Sequence, residues 1–286
     1  GVTQTDASVT KVVAENIAHG CSGVNYMAQM AGVDVYAVDI GMRGEAYPDA
    51  TFGMGHMINR KVQAGTGNLA KEPAMSMEIC DRAIEAGKEL VRECKEKGYE
   101  ILAVGEMGIG NTTTSTAVAA ALLDLAVEQV TGKGAGLTDE ALKRKCRVIK
   151  EAIEKYSLRD AEAFTILKTV GGLDIAGLTG VFIGAAIEQI PVVIDGVISA
   201  VAALLAETLC KGAVNYMIPS HKSRELAETA IMKKLHLDPV LDADMALGEG
   251  TGAVMMMSLL DVALGVYLQG ASFANFEIEQ YKRYEE

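Results

Sequence analysis

Two patterns alternate along this chain from about residue 9 to residue 265, and the alternation constrains the fold more than any other feature. Alanine-rich segments with helical spacing and charged faces give way repeatedly to short β-branched or apolar runs that stop at glycine or aspartate. Strands buried on both faces read as continuous apolar runs, and parallel strands need helical crossovers between them. The pattern predicts an α/β domain built on a doubly wound, mostly parallel sheet in a Rossmann-like three-layer arrangement. Residues 9–32 read as helices and 33–41 as a strand. A long amphipathic helix over 74–98 closes at Gly98, and 99–108 supplies the next strand. Thr138 caps a charged helix, 189–196 is a buried strand closing on Asp195 and Gly196, and 245–267 is a glycine loop leading into a helix. One large domain over 20–265 accounts for these elements. The ends, 1–19 and 266–286, fall outside the alternation and are expected to form a small helical subdomain, with the abrupt start at GVTQ read as a truncation.

Charge narrows the ligand. A net charge of -12 offers no basic surface to a nucleic acid or an anionic membrane, so neither is expected as a partner. A small molecule is favoured, and any phosphate on it must be held by backbone amides and a few placed side chains. Five scattered cysteines and four dispersed histidines show neither disulfide nor metal spacing, which points to a reduced, cytoplasmic protein with no metal and no cofactor. The most apolar region, 171–206, is broken by Asp174, Glu188, Pro191 and Asp195, and no uninterrupted stretch is expected to cross a bilayer.

The chemistry-bearing loops fall at strand ends, where an open α/β sheet places its ligand. In AVGEMGIGNTTTSTAVAAALL, 103–123, Gly108 and Gly110 permit a close backbone approach. The Asn111, Thr112, Thr113 run offers N-caps to the helix that follows. A helix N-terminus of this kind receives a phosphate or carboxylate. On these residues alone an ordinary strand-to-helix turn explains the stretch equally well. A second loop, TGKGAGLTD at 131–139, again sets glycines, Gly134 and Gly136, before a helix cap and strengthens the anion reading. The first loop, GEMGIGNTTT, has neither the lysine of a Walker motif nor the spacing of a dinucleotide fingerprint. LGEGTGA, 247–253, repeats the glycine-flanked glutamate of the first loop, so Glu106 and Glu249 are presented at one edge of the sheet. Met107 and Leu247 beside them supply an apolar setting that would lift a carboxylate toward general-base range, and a solvated surface glutamate is the plain alternative for each. Asp195, with Gly196 allowing close approach, is placed to meet a sugar hydroxyl. SHKSRE, 220–225, reads as an anion contact or a helix start, and Lys145 as part of a solvated helix face.

Taken together, GTGNLAKEPAM, GEMGIGNTTT, GKGAGLTDEALKRK, VVIDG, SHKSRE and LGEGTGA resemble the family of nicotinate-nucleotide:dimethylbenzimidazole phosphoribosyltransferases, in the family's order and over about residues 65–253. The resemblance implies that Glu249 is the catalytic base, with Glu106 and Lys145 supporting it. It also implies that Gly108, Asn111, Gly134, Gly136 and Ser223 surround a phosphate, with Gly110 and Thr112 on the same loop. Asp195 and Gly196 would lie near a ribose, and Met107 and Leu247 would flank an aromatic base. The partners so implied are nicotinate mononucleotide, an aromatic acceptor base and a second copy of the chain. The N-terminal region departs from the family: it is shorter, and GVTQTDASVT lacks the tyrosine-proline expected there. Some relatives are heterodimers that accept phenol or p-cresol, so the acceptor stays open, with Tyr26, Tyr36 or Tyr47 as candidates for an altered pocket. A partner subunit that binds nucleotide without turnover is the remaining alternative.

Overall fold

The computed structural model describes residues 2–48, 51–134, 136–276, 279 and 282. The chain opens with α1 (Val9–Ala18) and α2 (Gly23–Ala31), then β1 (Ala37–Asp39) and β2 (Met57–Asn59). Next come α3 (Met77–Glu96), β3 (Leu102–Ala103), α4 (Asn111–Leu122), α5 (Val127–Val130), α6 (Asp139–Lys155), α7 (Ala163–Val170) and α8 (Leu173–Glu188). The last part holds β4 (Val192–Ile194), α9 (Val197–Leu209), β5 (Met217–Pro219), α10 (Leu226–Leu235) and α11 (Thr251–Gln269). Every pairing between these strands is parallel: β1 with β2, and β3 with β4 with β5 in that order. The α/β class is the one the alternation predicts. The strands are shorter than the apolar runs that announce them: β1 occupies Ala37–Asp39 of 33–41, β3 Leu102–Ala103 of 99–108 and β4 Val192–Ile194 of 189–196, so the runs extend into the loops on both sides.

The core lies around α9, whose residues from Val197 to Ala206 are all buried, with α8, α4 and β4 packed about it. Along α3 and α8 the two helices meet through glycines. A Cβ on Gly180 would collide with the Ile84 carbonyl, and one on Gly87 would collide with that of Gly177. Only a missing side chain permits that approach.

Local signals behave as their chemistry dictates. Ser76 accepts from the Ile79 amide at the start of α3 and Thr138 from the Ala141 amide at the start of α6. Gly98, at φ +89°, ends the first of these helices. Two expectations need correction. The Asn111–Thr113 run does not cap α4 from outside. Gly110 is the cap, at φ +97°, and Asn111 already belongs to the first turn. One helix, α11, is long and apolar enough to cross a bilayer by length and composition, where none was expected. Its first turns (Thr251–Val254, Met256 and Met257) are nevertheless buried in the domain. Of the terminal stretch 266–286, residues 277–278, 280–281 and 283–286 lie outside the described residues.

Candidate active site

The loops at the C-terminal ends of β1 and β3 and the loop before α11 converge on one cavity of about 1060 Å³. Two glycine loops meet there backbone to backbone. A Cβ on Gly105 would come within 2.5–2.7 Å of the Gly250 nitrogen and the Glu249 carbonyl group, so GEMGIG and LGEGTG can touch only because position 105 is bare. Glu249 itself has φ +61°, between Gly248 at +77° and Gly250 at +86°. A left-handed glutamate is strained backbone, and such strain persists only where the surroundings impose it.

Asp195 is one source of that constraint. Buried at the end of β4, it accepts from the amides of Gly252 at 2.8 Å and Ala253 at 3.1 Å through Oδ1, and from Gly250 at 3.2 Å through Oδ2. The carboxylate meets the positive end of α11 and fixes the loop that presents Glu249. Its acceptors are engaged by amides, where the sequence suggested one free for a sugar hydroxyl. Burial raises its pKa while the neighbouring His221 draws it down. Neither Asp195 nor Gly196 lies on the cavity wall.

Glu106, Met107, Gly108, Gly110, Asn111 and Glu249 do line the cavity. Asn111 Nδ2 donates to Glu106 Oε2 and, at 2.9 Å, to Asp174 Oδ2. Burial first, and then the charge of Asp174, push Glu106 up to about 8, with further contributions from Asp195 and Glu249 and an opposing one from Asn111. Burial raises Asp174 as well. Glu249 has one buried carboxylate oxygen, Oε2, without a hydrogen-bond partner among the described residues. An acceptor of that kind inside a cavity is uncompensated until a donor arrives. Asp174 was missed as a site residue. Its signal was an acid in the first turn of a helix otherwise almost wholly apolar.

A second cluster lies behind the first turn of α4. Lys145 is fully buried, and its Nζ donates to Thr112 Oγ1 at 3.0 Å and to the Gly132 carbonyl at 3.1 Å. The solvated-face reading of this lysine is corrected: it shares the buried stripe of α6 with Ala141, Ile149 and Ile153 at four-residue spacing. Burial lowers its pKa and Glu225 partly restores it. Gly134, at φ +54°, donates its amide to Glu225 Oε1 at 3.0 Å, and Gly136 donates to the Gly134 carbonyl at 2.8 Å. Ser223 accepts from the Glu225 amide at 3.1 Å and donates its own amide to Glu228, a carboxyl that burial pushes up to about 7. Leu247 belongs to neither cluster. It is largely exposed and lies over the start of α2, at Gly23.

Comparison with known proteins decides the family. The phosphoribosyltransferase family model matches residues 1–278. The chain belongs to that family. This phosphoribosyltransferase is 44% identical over 281 residues to the nicotinate-nucleotide–dimethylbenzimidazole phosphoribosyltransferase of Clostridium acetobutylicum, covering 98% of this chain and 78% of that one. It is 42% identical to the protein of the same name from Chloroflexus aggregans, over 99% of this chain and 78% of the relative. Among solved structures it superposes on CobT from Thermus thermophilus with a TM-score of 0.90 at 35% identity, covering 98% of this chain and 82% of that one.

Proposed function

We propose that this phosphoribosyltransferase moves the 5-phosphoribosyl group of nicotinate mononucleotide to a lower-ligand base such as 5,6-dimethylbenzimidazole, with inversion at C1′. The products are an α-ribazole phosphate and nicotinate, for assembly of the nucleotide loop of a cobamide. The family membership and the names of the relatives support the donor and the acceptor class. The observation that carries the mechanism is Glu249: a strained carboxylate on the cavity wall with one buried oxygen left without a donor.

The chemistry follows from the donor. Its pyridinium nitrogen leaves as neutral pyridine nitrogen, taking the C1′–N electron pair and relieving positive charge through an oxocarbenium-like state. The acceptor nitrogen forms the new bond to C1′ from the opposite face and loses its N–H proton to Glu249. The ionised glutamate also stabilises the positive charge that the sugar and acceptor share. Glu106, held by Asn111, supports the base side of the cavity. Gly134, Gly136, Lys145, Thr112 and Ser223 form the anion side, and the donor phosphate there contributes positioning rather than bond-making. On this reading the enzyme works in the cytoplasm as a homodimer, and exposed apolar side chains along α11 (Val262, Val266, Tyr267, Leu268) support self-association.

The test is an assay of the purified chain with nicotinate mononucleotide and, in parallel, dimethylbenzimidazole, phenol and p-cresol, with product identification. An N-linked α-ribotide from the benzimidazole is expected. An O-linked product alone would replace the acceptor assignment, and no transfer to any acceptor would leave a nucleotide-binding partner subunit.

A further inference from the structure

The cavity wall is strongly acidic. Asp6, Asp34, Glu106, Asp174, Glu249 and Asp261 all line it, and among the described residues a single basic side chain, Arg43, answers them. That arginine leaves the C-terminal end of β1 on the turn Ile40–Arg43. The turn is pinned by Asp39, whose Oδ1 accepts from the amides of Gly41 at 2.9 Å and Met42 at 2.8 Å. It also abuts the start of α8: a Cβ on Gly41 would collide with Leu173, the residue preceding Asp174. Arg43 lines the same cavity as Asp174, Asn111 and Glu106. Its side chain lies over Gly65, where a Cβ would meet Arg43 Cγ at 3.3 Å and Nε at 3.5 Å. Gly65 opens the GTGNLAKEPAM loop, whose residues 65–69 line the cavity, and its amide donates to the Gly41 carbonyl at 2.8 Å. No hydrogen bond or ion pair to the Arg43 guanidinium is found among the described residues, although carboxylates surround the cavity it enters.

We infer that Arg43 binds the carboxylate of the nicotinate ring and so selects the acid over the carboxamide as donor base. This rests on the transfer proposed above. Nicotinate mononucleotide is anionic at both ends, and its ring end enters a cavity in which Arg43 is the one basic side chain among the described residues. A planar guanidinium matches a carboxylate with two parallel N–H donors, which a neutral carboxamide cannot match in charge. Arg43 is thus a specificity residue, at the opposite end of the donor from the phosphate cluster around Lys145.

The experiment compares nicotinate mononucleotide with nicotinamide mononucleotide as donors for the wild type, Arg43→Gln and Arg43→Lys. In parallel, calorimetry reads binding of free nicotinate and free nicotinamide to the same proteins without turnover. Expected for Arg43→Gln is a rise of about 10–100-fold in KM for the acid donor with kcat little changed, no comparable change for the amide donor, and loss of the calorimetric preference for nicotinate. Arg43→Lys should recover part of it. An unchanged acid-to-amide ratio in Arg43→Gln, or a parallel loss on both donors, overturns the assignment. If the wild type transfers from neither donor, the transfer reading fails while calorimetry still judges Arg43.

Discussion

Asn111 Nδ2 donates to Asp174 at 2.9 Å, and the same nitrogen serves Glu106. One neutral amide thus stands between two buried acids, and it cannot compensate both if both are ionised. Glu106, with a folded pKa near 8 against an ordinary 4.5, holds its proton in the folded chain over a range where the unfolded chain has lost it. The folded state binds more protons in that window, so this group makes stability fall as pH rises from about 4.5 to about 8. Glu106→Gln, which keeps an acceptor for Asn111 and cannot ionise, should raise Tm relative to the wild type more at pH 8.5 than at pH 5.5. A gain that is the same at both pH values would mean that Glu106 is not held protonated.

Glu249→Gln should lower kcat by about 10²–10⁴-fold, the usual contribution of a positioned general base, with little change in donor KM. The amide keeps the shape and the hydrogen-bonding oxygen, and the strained loop is still fixed by Asp195 through Gly250, Gly252 and Ala253. Thermal unfolding should therefore stay close to that of the wild type. Single-turnover transfer at an undiminished rate would remove Glu249 from the role of base.

Much of this arrangement was legible in the sequence because it rests on local chemistry. Helices such as α3 and α6 declare themselves by a polar face against an apolar one, and strand ends by glycine and aspartate. The pairing of Glu106 with Glu249 followed from two glycine-flanked acids at strand and helix mouths. Asp174 and Lys145 were not read as the structure places them, for opposite reasons. The helix bearing Asp174, α8, is apolar on almost every side, so 171–206 has no periodic contrast to reveal which way its one early acid points. Lys145 sits among charged neighbours that set the tone of α6, although its four-residue register with Ala141 and Ile149 puts it on the buried face. Asp195 was visible as a strand-end acid, but its engagement with the amides of residues 250–253 is a contact between segments 55–58 positions apart in the chain.

Gly180→Ala tests the contact of α3 with α8 that carries Asp174 into the cavity. Its Cβ would overlap the Ile84 carbonyl, a backbone atom in the middle of a 20-residue helix that cannot step aside alone. A loss of about 3 kcal/mol or more in urea unfolding is expected, at the upper end of the range for overpacked cores. Ala at Gly265, a half-buried α11 position where an added Cβ meets nothing, is the matched control and should be neutral or slightly stabilising. Equal behaviour of the two variants would show that the helices separate without cost.

Lys145→Met separates binding from stability. The lysine nitrogen is buried with two acceptors, the Thr112 hydroxyl and the Gly132 carbonyl, and burial disfavours its charged form. An apolar chain of similar length removes that desolvation cost but leaves the Gly132 carbonyl without its donor, a loss of about 1–3 kcal/mol. The fold should therefore survive the change with Tm lowered by only a few degrees. The anion side of the site loses its buried cation, and a hydrogen bond to a charged group is worth about 1.5–3 kcal/mol, or roughly 10–100-fold in donor KM. Acceptor KM should not move, because on the proposed reading Lys145 serves the donor phosphate and the acceptor meets Glu249 across the sugar. A variant with wild-type donor KM would show that the lysine only braces the Thr112 and Gly132 backbone, and an acceptor effect as large as the donor effect would place it on the wrong side of the sugar.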